Sequence, residues 1–221
     1  MLAAFWNCAN GQVSGTLSAI SDYRYRGITL SDRKPAAQVT VAYDDSTGWY
    51  LGAFASTVRL APPADAHVQG VAFGGYAFRM PSGLSLEAGG DYATFAAAGR
   101  DDYGEVFLGA ASESVSARVY YAPRYFGLQS NAVYGELNAL LPINDRVHLL
   151  AHFGMLRTAY PAGYQHTTAR MFVDGRIGLG VDFSRLRLEI AWVGTNDAYA
   201  AYPLTGASSP NTVVLSLTRS F

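Results

Sequence analysis

Two histidines four residues apart, His148 and His152, are residues whose type and spacing could hold a metal or move a proton. They lie in a segment that alternates apolar and polar side chains, so they share a face of an extended strand and stand about 13 Å apart along it. One ion cannot join them directly, and a hydrogen-bonding role on a polar face is the simpler reading. Asp44-Asp45 ahead of Gly48 has oxygen donors for calcium, but it also has the composition of a polar hairpin turn. Gly175-x-x-Gly178-x-Gly180 has the look of a nucleotide loop, yet it sits inside an alternating segment with no helix after it. Glycine there serves curvature or close packing over a neighbour's bulky side chain. No Gly-x-Ser-x-Gly occurs, and none of His67, His148, His152 or His166 has serine two positions on. Asp101-Asp102 has no histidine partner that the sequence locates. The expectation is a protein that is not an enzyme, with no metal and no cofactor. The one cysteine, Cys8, cannot form an internal disulfide.

The remaining candidates are charges. Asp22, Arg24, Arg26, Glu87, Asp91, Glu105, Arg118, Arg124, Glu136, His152, Asp174, Arg176, Asp182, Arg187 and Glu189 fall on the polar side of alternating segments. Met171, Val173, Ile177, Leu179, Val181 and Phe183 form one face of their segment, for example, opposite Asp174, Arg176 and Asp182. The 221 residues carry 16 Lys and Arg against 17 Asp and Glu, a net charge of −1 that leaves no basic excess for nucleic acid. Charged residues are 15% of the chain, hydrophobic ones 50%, and mean hydropathy is +0.08. That charged share is well below the usual ~25%, so much of the surface does not face water. No run of about 18 apolar residues exists for a spanning helix.

The elements that would position these charges are strands. Alternating segments fall near 13–26, 35–44, 49–59, 67–79, 84–95, 103–111, 115–124, 130–141, 146–157, 171–183, 186–196 and 211–221. Tight connections such as 44–48, 80–83 and 184–185 alternate with longer ones such as 27–34, 158–170 and 197–210. Short turns at one end and longer loops at the other predict a transmembrane antiparallel up-and-down β-barrel of about twelve strands. A water-soluble barrel would place lysines on its outer face, whereas the one lysine here, Lys34, lies in a predicted loop. Residues 1–11 read as a tail or signal-peptide remnant and residues 12–221 as the barrel. The chain ends Val213-Val214-Leu215-Ser216-Leu217-Thr218-Arg219-Ser220-Phe221, which resembles the terminal strand that bacterial outer-membrane barrels present to their assembly machinery. Arg219 stands where an apolar residue is more usual.

Three stretches carry a more specific likeness: Ser21-Asp22-Tyr23-Arg24-Tyr25-Arg26-Gly27, Pro35-Ala36-Ala37-Gln38, and Gly48-Trp49-Tyr50-Leu51-Gly52. They resemble the TorF-like porin family of proteobacteria, whose function is poorly defined, over about the first quarter of the chain. The resemblance implies an outer-membrane barrel and supplies no catalytic residues.

The expected function is therefore passive diffusion of small polar or zwitterionic solutes across the bacterial outer membrane. Six arginines against eight carboxylates would line a bore with a backbone radius of roughly 13 Å. The alternative is a barrel plugged by pairing of those charges, acting through its loops. Thr158–Arg170, with Tyr160, Tyr164 and His166, and Thr195–Pro210, with Tyr199 and Tyr202, carry the aromatic residues that could meet a protein partner. Expected partners are membrane lipid, the assembly machinery through Phe221, and the solutes.

Overall fold

The computed structural model describes residues 11–60, 67–96, 101–127, 130–158, 170–196 and 211–221. Fourteen strands follow one another in these residues. They are β1 (Gln12–Ile20), β2 (Arg24–Tyr25), β3 (Ile28–Thr29), β4 (Ala36–Asp44), β5 (Trp49–Val58), β6 (His67–Arg79) and β7 (Ser85–Phe95). The others are β8 (Tyr103–Ala111), β9 (Val115–Ala122), β10 (Ala132–Pro142), β11 (Val147–Thr158), β12 (Arg170–Phe183), β13 (Leu186–Thr195) and β14 (Asn211–Ser220). β1 and β4 to β14 form a closed twelve-strand antiparallel barrel in which β1 pairs with both β4 and β14. Closure leaves no free sheet edge along the seam, the condition for strands to cross a bilayer.

Period-two alternation sets which side each residue faces. Leu51, Leu108, Phe153, Ile177, Leu179 and Leu215 are all outward and exposed, and the same apolar band runs round every wall strand. Such a surface in water would be an aggregation site; in a membrane it is the lipid face. Aromatic residues mark its rims, with Trp49 and Tyr76 packed edge to face at 5.2 Å beside the short turns. The chain is an outer-membrane β-barrel, its outer surface in contact with lipid.

The short turns behave as their residues suggest. In the 45–48 turn the Thr47 hydroxyl and amide both donate to Asp45, and these bonds hold the Asp45 carboxyl below the ordinary carboxylate range. This aspartate caps a hairpin. Phe221 closes the seam, its amide and carbonyl bonded to Gly15 at 3.0 and 3.1 Å.

Two expectations need correction. The first strand does not run to residue 26. β1 leaves the wall after Ile20, and residues 21–34 turn into the barrel, where β2 and β3 pair as a small hairpin. Its backbone groups find partners within the segment: Leu30 N donates to the Tyr23 carbonyl at 2.8 Å, and Tyr23 N donates to Ser31 Oγ at 2.9 Å. The Arg24, Arg26 alternation fits a two-residue hairpin as well as it fits a wall strand. The second correction concerns Arg124, which lies beyond the end of β9 and is exposed. Pro123 lacks the amide that the next ladder bond needs, so the strand stops at Ala122. The tyrosine-bearing parts of the two longest loops, and Cys8, lie outside the described residues.

Candidate functional site

The inward hairpin crosses the bore at its long-loop end. Its tip is Arg26-Gly27, both with positive φ (49° and 81°), the pattern of a type I′ turn. Glycine is needed there twice over, since a Cβ at Gly27 would also stand 2.7 Å from Asp174 Cβ on β12. Behind the tip, Asp22 accepts from Arg24 Nε at 2.7 Å, from Thr29 Oγ1 at 2.6 Å and from Ser31 Oγ at 3.3 Å, which binds the two sides of the segment together. The hairpin reaches several walls: Tyr23 Oη donates to Gln69 on β6 at 2.9 Å, and the Leu30 carbonyl accepts from Arg59 N at 2.7 Å.

Arg26 is the far end of this excursion. Its Nη2 lies 2.6 Å from Glu105 Oε2 on β8, on the opposite side of the ring from β1. Its guanidinium stands over four tyrosine rings, 4.1 Å from the centroid of Tyr134, 4.8 Å from Tyr25, 5.3 Å from Tyr120 and 5.4 Å from Tyr125. Tyr125 comes from a 3-10 turn, Tyr125–Gly127, after β9. Ile28 and Leu30, each 1% exposed, pack with Val58, Phe95, Phe126 and Phe172 into an apolar cluster inside the barrel. Fully burying two such side chains stabilises the hairpin by about 1.5–3 kcal/mol each.

Toward the short-turn end the lining is charged and paired. Arg118 on β9 reaches Glu87 on β7 with Nη2 at 3.1 Å from Oε2, and Tyr50 Oη donates to the same oxygen at 3.0 Å. The pair spans β8 above Gly109, where a Cβ would fall 2.5 Å from Glu87 Oε1; only glycine leaves room for the bridge. Arg176 lies 2.7 Å from Glu189, and Arg187 grips Asp182 with two bonds of 2.7 and 3.0 Å. His152 faces Asn138 Oδ1 with Nδ1 at 2.7 Å and Asp174 Oδ1 with Nε2 at 2.8 Å, while Tyr134 Oη donates to Asp174 Oδ2 at 3.2 Å. His148 lies 3.5 Å from Asp182, so the two histidines serve different carboxylates.

Water reaches the two ends unequally. Side-chain exposure is 36% and 35% for Arg187 and Asp182 beside the 184–185 turn, but 4% and 2% for Arg26 and Glu105 at the hairpin. The bore is wet at the short-turn mouth and dry where the hairpin fills it.

Of the residues singled out from the sequence, Glu87, Asp91, Glu105, Arg118, Glu136, His152, Asp174, Arg176, Asp182, Arg187 and Glu189 are wall residues on the inward-facing side of their strands. Asp22, Arg24 and Arg26 are inside as well, but on the hairpin. The tyrosines were missed. Parity places Tyr103 with Glu105 and Tyr134 with Glu136, so their facing was available; Tyr125 carries no sequence signal, because it sits in an irregular turn.

A family model described as a bacterial protein of unknown function (Gcw_chp) matches residues 8–221. No curated protein matches by sequence. Among solved structures, a KdgM porin aligns at 8% identity with TM-score 0.59 over 94% of this chain and 99% of its own. A NanC porin aligns at 12% identity with TM-score 0.58, over 93% of this chain and 98% of its own. These likenesses are of fold. LpxR from Salmonella typhimurium aligns at 8% identity with TM-score 0.46 over 94% of this chain and 99% of its own. That match is too loose to lend this chain an activity. The expectation that the chain is not an enzyme is nonetheless corrected: a barrel by itself gives no ground for excluding catalysis, and the fold brings His152 and Asp174 together as a couple that the sequence did not reveal.

Proposed function

Because the chain belongs to the Gcw_chp family of bacterial proteins of unknown function, we propose that it is a porin-like channel for small polar or zwitterionic solutes, held shut by the residue 21–34 hairpin. One observation carries this reading: the wall is complete without the hairpin. β1 pairs with β4 from Gln12↔Asp44 to Ile20↔Ala36, so the plugging segment is an excursion between two adjacent strands and contributes nothing to the twelve-strand ladder. Moving it aside leaves the strand-to-strand pairing of all twelve wall strands in place. The paired charges below it, of both signs and partly wetted, suit dipolar or weakly charged solutes over any one ion. The porin fold of the KdgM and NanC structures and the TorF-like stretches support the same reading. The long loops face the exterior and the short turns the periplasm, following the general rule for such barrels. The C-terminal strand ending in Phe221 is the segment offered to the assembly machinery.

The test is conductance in planar bilayers under a salt gradient. Ile20 opposes Ala36, so a two-residue Asn-Gly turn can replace residues 21–35 and join β1 to β4 directly. This variant is expected to give stable conductance steps, and the parent rare ones. A folded variant that stays silent would favour the second reading, a non-conducting barrel that acts through its loops, which the deep burial of the hairpin also favours. In the conducting variant, Arg176→Glu sets two carboxylates opposite each other at Glu189 and is expected to shift the reversal potential toward cations. An unchanged potential would remove Arg176 from the permeation path.

A further inference from the structure

The geometry points to a guanidinium-binding site in the bore, formed by Tyr120, Tyr125, Tyr134 and Glu105 and occupied in this state by the protein's own Arg26. The inference rests on the channel reading for its physiological meaning and deepens it by naming the solute class: small molecules bearing a guanidinium or ammonium group.

Three observations carry it. The cage is made by the wall and the 125–127 turn, and of the four rings over Arg26 only Tyr25 belongs to the hairpin and would leave with it. The site meets a planar cation on two fronts, ring faces at 4.1 to 5.4 Å and a carboxylate oxygen at 2.6 Å. The wall at this level is acidic: Asp91 stands opposite Glu105 in the β7–β8 register, and Glu136 Oε1 accepts from Tyr120 Oη at 3.2 Å. Arg24 is turned toward the hairpin's own Asp22, so Arg26 is the cation that the hairpin delivers to these carboxylates. With the hairpin displaced, the cage keeps its rings and its negative charge and lacks a cation. A solute carrying a guanidinium group satisfies both, and in doing so competes with the closing contact; the tethered arginine acts as a built-in competitor that such a solute must replace.

Chemical rescue tests the site without requiring permeation. Arg26→Ala, refolded in detergent, empties the cage and is expected to lower the temperature at which the heat-modifiable folded band is lost. Methylguanidinium chloride at about ten times its dissociation constant should then raise that temperature by roughly 3 °C or more. Neither equimolar urea, a neutral isostere, nor sodium chloride should do so, and the parent protein should not respond. If Arg26→Ala does not reach the folded state, the same rescue is read as recovery of the folded band when methylguanidinium is present during refolding. Equal response of parent and variant, equal response to urea, or no response by either readout overturns the site. Because rescue needs no current, a silent channel in bilayers would count against the proposed function and leave the cage to be judged by rescue alone.

Discussion

Replacing Asp22 by alanine is expected to release the hairpin while leaving the barrel folded. Asp22 accepts from Arg24, Thr29 and Ser31 at once, and its side chain and that of Arg24 are almost wholly buried. Removing one member of such a pair leaves a desolvated charge without its partner, a cost of about 3–5 kcal/mol. The cost falls on the docked hairpin, since the chain can relieve it by moving Arg24 into water. The ratio of docked to undocked hairpin should drop by about 10²–10⁴-fold at that cost. Trypsin should then cut the folded protein after Arg24, Arg26 or Arg33, and bilayer recordings should show more frequent openings than the parent. The heat-modifiable folded band should persist, because the twelve-strand ladder does not include residues 21–34 and the wall's backbone bonds to them are those of Leu215 to Ser21 and of Arg59 to Leu30. Unchanged cleavage and unchanged conductance would mean that burial of Ile28 and Leu30 holds the hairpin without help from its polar hub.

The second large effect is on the outside of the wall. Leu179 and Ile177 point outward from β12, with Leu179 flanked in register by Leu149 and Ile190, and Ile177 by Ala151 and Trp192. Both side chains are about half exposed to the exterior of the barrel, where the surroundings are hydrocarbon. Arginine at mid-membrane on such a face costs about 2–4 kcal/mol, so Leu179→Arg and Ile177→Arg should each cut the yield of folded protein on refolding into lipid. Arginine is tolerated one strand position away: Arg176, on the opposite face, already finds Glu189 at 2.7 Å. The contrast tests facing and depth together. Normal yield from both variants would show that this stretch of β12 lies outside the hydrocarbon layer.

These effects come from different levels of organisation, and so does their legibility. The outcome for Leu179 is readable from the chain alone, because the alternation Ile177, Leu179, Val181 opposite Arg176 and Asp182 admits only one arrangement in a barrel whose exterior is apolar. Strand number, tight turns and the inward facing of Glu87, Arg118, Glu136, Asp174 and Glu189 follow from the same parity. The outcome for Asp22 is not readable that way. Tyr23-Arg24-Tyr25-Arg26 alternates as a wall strand does, and only the positive φ values at Arg26 and Gly27 and the hydrogen bonds of Asp22 distinguish a plug from a wall.

The sequence by itself determined the barrel, its lipid face and the parity of its lining, because a period of two is a local property and each strand repeats it independently. Only the tertiary structure decided which charges meet. Glu87 pairs with Arg118 across an intervening strand because Gly109 leaves the gap, and Arg26 meets Glu105 and three rings of the wall and its loop because a hairpin crosses the bore. Such partnerships depend on register and on closure of the ring, which bring together residues up to 79 positions apart in the case of Arg26 and Glu105. No local pattern in the chain records that distance.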